Sequence, residues 1–165
     1  MTALVALVTA GSRGTGAATA LLTAQKGYAV AVNYTRNSLA ADQVVRQIRV
    51  AGGSIVNVSS AASRLGGAGQ YVDYAASKGA IDSFTIGLAK EVALEGIRFS
   101  AVRPGIIETD IHASGDQPER ARQMAPQVPM QRAGTALEVA QAIVWLMGHE
   151  SSYTTGTLVD VTGGR

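Results

Sequence analysis

Residues 46–60 read RQIRVAGGSIVNVSS. A helical pattern runs out at Val50 or Ala51, two glycines follow, and Ser54–Val58 forms a short apolar strand that ends on Ser59-Ser60. Glycine ends helices because it adopts the left-handed conformation without a Cβ penalty. The chain therefore passes from helix to strand with almost no loop. Outward from this seam the same alternation recurs. Leu4–Thr9 (LVALVT) suits a strand buried on both faces, Gly11–Gly16 is a glycine-rich turn, and Ala17–Lys26 is an Ala/Leu-rich helix ended by Gly27. Tyr28–Asn33 is a second strand, and Ser38 caps a helix that turns Val44, Val45 and Ile48 inward.

Beyond the seam, a loop with Gly66, Gly67 and Gly69 leads to a long helix over about Asp73–Glu95, stopped by Gly96. Ile97–Val102 is the fourth strand, broken by Pro104-Gly105. Residues 110–134 hold three of the four prolines and many charges, so they predict an irregular, lid-like segment. Thr135-Ala-Leu-Glu138 matches a capping box, and Val139, Ile143, Leu146 and Met147 repeat at helical spacing, with Trp145 expected to be partly buried. Thr157–Val161 is the last strand. This βαβαβαβ order, followed by a lid and an αβ unit, predicts an α/β fold. Its parallel sheet is covered by helices on both faces, as one domain over residues 1–165.

Composition narrows the function. The chain has 165 residues, enough for one real core, and 47% of them are hydrophobic, which excludes a disordered polar tail. A formal charge of +2 without a basic run gives no support for nucleic acid or a membrane surface. There is no cysteine, and His112 and His149 lie far apart, so no metal site is expected. The start, MTALVALVTAGSRG, lacks the basic n-region of a signal peptide, and no apolar stretch reaches the length of a membrane span. The expectation is a soluble cytoplasmic protein.

Thr9–Gly16 reads TAGSRGTG between an apolar strand and a helix. In that context Gly11, Ser12, Arg13, Gly14 and Gly16 let the backbone approach a pyrophosphate at the helix N-terminus. The second strand ends Asn33-Tyr34-Thr35-Arg36, without the acid that would hold a free ribose 2′-hydroxyl. Arg13 and Arg36 suit a 2′-phosphate, although each alone reads as an ordinary solvated side chain. NADP(H) is therefore the preferred cofactor, with NAD(H) second.

Residues 71–79 read YVDYAASKG. Tyr74 and Lys78 are four apart and share a helix face. A phenol with a free pKa of about 10 needs a neighbouring charge to act near neutrality, and an ammonium supplies it. Tyr71 has Ala75 four residues later and lacks that partner. Ser59-Ser60 lies at the C-terminal end of a parallel strand, where ligands of open α/β sheets bind.

Taken together, TAGSRGTG, NVSS, YAASK, RPGIIET and YTTGTLVDVTGG resemble the short-chain dehydrogenase/reductase family over nearly the whole chain. The resemblance implies a Rossmann-like doubly wound fold and NAD(P)-dependent hydride transfer on a small carbonyl or alcohol. It makes Tyr74 the catalytic acid/base. Lys78 assists ionisation of that phenol and holds the nicotinamide ribose, and Ser60 hydrogen-bonds the reacting oxygen. Pro104, Gly105, Ile107 and Thr109 would line the nicotinamide side, and 110–131 would be the substrate lid. The family often pairs through the Tyr-Lys helix and a partner helix absent from this sequence, while the C-terminal helix and strand offer another interface, so a homo-oligomer is one expectation and the oligomeric state stays open. Two departures are small: Ala10 replaces the usual first glycine of the turn, and Ser60 to Tyr74 is one residue longer than the commonest spacing. Ser59 or a loop bulge could absorb that residue.

The third departure is the seam. Family members run to roughly 250 residues, still one domain by size. Between the second helix and the serine strand they carry two further strand-helix units, about 80 residues at 30 or more per βαβ unit. Here Val50-Ala-Gly-Gly joins straight to Ser54, as after an internal deletion near 51–54. The lost parts include the acid near adenine, an Asn-Ala-Gly turn beside the adenosine ribose, and the helix asparagine of the Lys-linked proton relay. Re-pairing the first strand with the serine strand gives about five strands in the order 2-1-3-4-5, with the glycine turn and Ser60 flanking one crevice. The helix over 38–50 would then cover the opposite face to keep a right-handed crossover. Three readings stay open. One is an NADP-preferring short-chain oxidoreductase, slow or inactive without the relay. Another is a remnant that keeps the fold and at most binds dinucleotide. The third is a chain, shortened by a gene deletion or gene-model artefact, that folds only with help.

Overall fold

The computed structural model describes residues 5–9, 29–33, 53–109 and 117–165, together with Thr15, Thr19 and Leu22. Five strands form one parallel sheet: β1 (Val5–Thr9), β2 (Ala29–Asn33), β3 (Gly53–Val58), β4 (Ile97–Pro104) and β7 (Leu158–Val161), in the order β2-β1-β3-β4-β7. This is the re-paired order expected from the seam. Ala6, Leu7 and Val8 of β1 lie opposite Ser54, Ile55 and Val56 of β3, so the first strand takes the serine strand as its direct neighbour. Chain order reverses between β1 and β3, and open α/β sheets bind ligands at such a reversal.

Two further strands were not expected. β5 (Ile107–Glu108) and β6 (Gly134–Thr135) pair in parallel as a separate two-stranded sheet. Gly134 lets them meet: a Cβ there would stand 2.8 Å from Ile107 Cδ1.

The helices are α1 (Ala62–Leu65), α2 (Val72–Val92), α3 (Arg120–Met124) and α4 (Ala136–Met147). The loop expected after Ser60 thus contains a short helix, and so does the expected irregular segment. α2 ends three residues earlier than expected. Ala93–Glu95 tightens into a 3-10 turn, and Gly96, at φ +73°, stops it. Alternation along the strands divides the core between two faces. Ile55, Ile97 and Phe99 pack under Ala89 and Val92 of α2. Ala6, Val56 and Val102 pack under Val139, Ile143, Leu146 and Met147 of α4.

The capping box at α4 forms as the sequence predicts. Thr135 Oγ1 accepts from the Glu138 N–H, and the Glu138 carboxylate accepts from the Thr135 N–H. At the other end Arg98 donates to the Leu146 and Gly148 carbonyls at 2.6 and 3.0 Å, satisfying groups that a helix terminus leaves open. Trp145 is 45% exposed rather than partly buried. The period that turns Ile143 and Leu146 inward turns Trp145 outward. Among the described residues no helix is long and apolar enough to cross a membrane. Nor is there a cluster of three or more His, Asp or Glu side chains placed to hold a metal ion.

Candidate active site

α2 presents one stripe to the sheet: Ala75, Asp82, Thr85, Ala89 and Val92 are buried, with half-buried Lys78 in line. Their spacing alternates three and four, the signature of a single helix face. Tyr74 sits at the edge of this stripe, 39% exposed. Lys78 Nζ lies 5.6 Å from the Tyr74 ring centroid, within cation–π range. The same Nζ donates to the Val58 carbonyl at 2.9 Å, which pins it at the end of β3. Burial pushes the Lys78 ammonium below the usual lysine range, and the negative charge of Asp82 opposes that fall.

The two serines separate by role. Ser59 is buried, and its hydroxyl donates to the Lys78 carbonyl at 3.2 Å, tying β3 to α2. Ser60 is half-buried; its Oγ accepts from the Ala62 N–H at 3.1 Å, at the start of α1. That bond uses a lone pair and leaves the Ser60 hydroxyl proton to donate elsewhere. Ser60 is therefore the serine with a donor to offer, and Ser59 is committed to the scaffold.

The ends of three strands converge here. Ser59 N donates to Val102 O at 2.8 Å, Ala61 N to Pro104 O at 2.9 Å, and Gly105 N to Val161 O at 2.9 Å. Pro104-Gly105 is thereby held beside Ser60. A Cβ on Gly105 would stand 2.9 Å from Thr162 Cα, closer than backbone tolerates, so only glycine fits. Ile107 is buried in β5 and Thr109 is half-buried beyond it. Gly11, Ser12, Arg13, Gly14, Gly16, Tyr34 and Arg36 lie outside the described residues, as does the helix expected over 38–50. Of Asn33, only the backbone, at the end of β2, is described. After the glycine turn, Thr15, Thr19 and Leu22 are helical, and the Thr19 hydroxyl donates to Thr15 O at 2.8 Å.

A line of charges beneath the site escaped the sequence reading. Arg103 of β4 forks onto Asp160 of β7 at 2.7 and 3.2 Å and stands 3.7 Å from Asp82. Asp82 lies four residues after Lys78, so helical spacing carried that much of the signal. A separate cavity of about 530 Å³ opens beyond Asp160, lined by Arg64, Ile107, Arg132, Thr162 and Arg165 among others. It excludes Ser60, Tyr74 and Lys78, and two of its three arginines are engaged: Arg132 with Glu138, and Arg64 with Asp160 and the Arg165 carbonyl.

The family model described as "Enoyl-(Acyl carrier protein) reductase" matches residues 38–165. The chain belongs to the short-chain dehydrogenase/reductase family of oxidoreductases. It is 40% identical to the "Uncharacterized oxidoreductase YgfF" of Escherichia coli, over 98% of this chain and 99% of that protein. That alignment runs over 245 positions, which 165 residues cannot fill, so about 80 positions of the relative have no counterpart here. A 3-oxoacyl-[acyl-carrier-protein] reductase of Thermotoga maritima is 45% identical over 71% of this chain but only 47% of its own length. The chain thus spans about half of several curated relatives that it matches. Among solved structures, the TT0495 protein of Thermus thermophilus superposes with a TM-score of 0.77 at 25% identity, covering 99% of this chain and 98% of that one. An NADPH-bound short chain oxidoreductase of Pseudomonas aeruginosa superposes at 0.79 with 21% identity and shares the fold, over 98% of this chain and 96% of that one.

Proposed function

We propose that this chain is an NAD(P)(H)-dependent oxidoreductase, NADP(H) preferred, that interconverts a small carbonyl and its alcohol. The observation that carries the reading is the Lys78 ammonium between the Tyr74 ring and the end of β3, with Ser60 two residues past Val58 at the same strand end. The nicotinamide half of the cofactor fits these residues. One Lys78 N–H is used on Val58 O, and two remain for ribose hydroxyls. The Tyr74 hydroxyl makes no hydrogen bond among the described residues, so it can meet a reacting oxygen. When bound, the nicotinamide supplies or accepts the hydride. Tyr74 gives a proton to the substrate oxygen in reduction and takes it back in oxidation. Ser60 donates a hydrogen bond to that oxygen and orients it. Pro104, Gly105, Ile107 and Thr109 would line the nicotinamide side. Gly11, Ser12, Gly14 and Gly16 would cradle the pyrophosphate, while Arg13 and Arg36 would meet the 2′-phosphate, with Asn33 and Tyr34 toward the ribose. The same reading takes the protein as cytoplasmic, free of nucleic-acid and membrane partners. It pairs as a homo-oligomer through α2, or through α4 and β7.

A second reading is a binding-only remnant. About 80 positions of YgfF have no counterpart here, and the family resemblance implies that the units absent at the seam carry the relay asparagine and the adenosine wall, which favours it. Acid–base assistance is commonly worth 10²–10⁴-fold, so turnover is expected to be slow. Fluorescence titration with NADPH and NADH, followed by NADPH oxidation with small ketones and aldehydes, tests both readings. NADPH should bind more tightly, and Arg36→Asp should reverse the preference. Binding without turnover selects the remnant, and absence of binding rejects both.

A further inference from the structure

We propose that Asp82 is a positioning residue for Lys78: its carboxylate, one turn along the sheet-facing stripe of α2, keeps the ammonium charged and held at the end of β3 beside Tyr74. The proposal rests on the reading of Lys78 given above.

Asp82 is 9% exposed, and aspartate is rarely so buried without a partner. Among the described residues its nearest cation is Arg103, at 3.7 Å, beyond hydrogen-bonding distance. Arg103 is committed elsewhere, since its fork is filled by Asp160. Asp82 Oδ1 is buried with no hydrogen bond among the described residues. Among the described residues the charged groups around Asp82 are Lys78 on its own helix, Arg103 on β4 and Asp160 on β7, with Arg64 of α1 at 3.8 Å from Asp160. Signs alternate along this line from Lys78 outward.

The alternation has a direction. Arg103 is held by Asp160, and Asp82 stands one turn from Lys78 on the same helix face, where its negative charge opposes the effect of burial on the ammonium. A half-buried ammonium loses hydration and tends to shed its proton, and a carboxylate on the same face counters that. Only the protonated form carries three donors, one for Val58 O and two for a ligand.

The chain has three lysines, Lys26, Lys78 and Lys90, so the titration of Lys78 can be followed directly on protein labelled with ¹³C-lysine, without cofactor or substrate. Asp82→Asn should lower the Lys78 midpoint and leave Lys90 unmoved. Asp82→Glu should restore it. Asp160→Asn, at an exposed position, should also lower it, because the freed Arg103 turns to Asp82; this variant decides the matter if Asp82→Asn does not fold. An unmoved Lys78 midpoint in folded Asp82→Asn, or in Asp160→Asn where that one alone folds, overturns the proposal. NADPH titration of the unmodified chain judges the cofactor reading separately.

Discussion

Ala6 of β1 and Ser54 of β3 are register partners on the face covered by α4. Ser54 Oγ donates to the Leu146 carbonyl at 2.9 Å, and Ala6 is fully buried beside it. No room is left for a larger side chain between the sheet and the helix. Ala6→Leu should therefore destabilise the protein by about 1–3 kcal/mol, the usual range for overpacking. Urea denaturation measures it. A variant as stable as the parent would mean that β1 does not lie under α4, and the rearranged sheet would be wrong.

Tyr74→Phe removes the hydroxyl and keeps the ring. Any NADPH-dependent reduction should fall by about 10²-fold or more, the low end of what a positioned acid contributes, while NADPH affinity stays nearly constant. Lys78→Ala should weaken both, since the ammonium faces the phenol and has donors left for a ribose. Residual turnover that ignores Tyr74→Phe would place the chemistry elsewhere.

The hydrogen bonds from Arg132, and then the Thr135 N–H, hold the Glu138 carboxyl at about 2, below its ordinary 4.5. A depressed carboxyl stabilises the fold above its unfolded value, and that contribution is lost as pH falls from about 4.5 through about 2. Carboxyl NMR should show Glu138 titrating near the lower value. Glu138→Gln should flatten part of the acid limb of Tm against pH. A Glu138 midpoint near 4.5 would mean that the cap does not persist in solution.

The apolar runs LVALVT and SIVNV, and the seam between them, sufficed to predict which strands are neighbours, because with two units missing no other parallel strand stands between β1 and β3. Helical spacing placed Tyr74 and Lys78 on one face, as found, but that spacing is common on surfaces, and it pointed to a site only together with Ser59-Ser60, the glycine turn and Pro104-Gly105. The pair β5 and β6 was not, since it is held by backbone, as in Gly134 N to Ile106 O, and two residues carry no periodicity. The Asp82–Arg103–Asp160 line was hidden for another reason: its members come from three elements far apart in the chain. Trp145 shows the opposite error. Its outward position was readable from the period of α4, while the general burial of large aromatic side chains pointed the other way.

The small sheet of β5 and β6 brings Ile107 and Gly134 together, and so closes the chain from 109 to 133 into an excursion with a fixed neck. Doubling the length of a closed loop costs only about 0.6 kcal/mol. Insertions between the two strands would thus leave the five-stranded sheet nearly untouched. A sequence that keeps the neck, together with the anchors Ala121 and Val128, is an exchangeable cassette. On the function proposed above, a change of substrate would then need changes in this segment alone, on a scaffold that stays as it is.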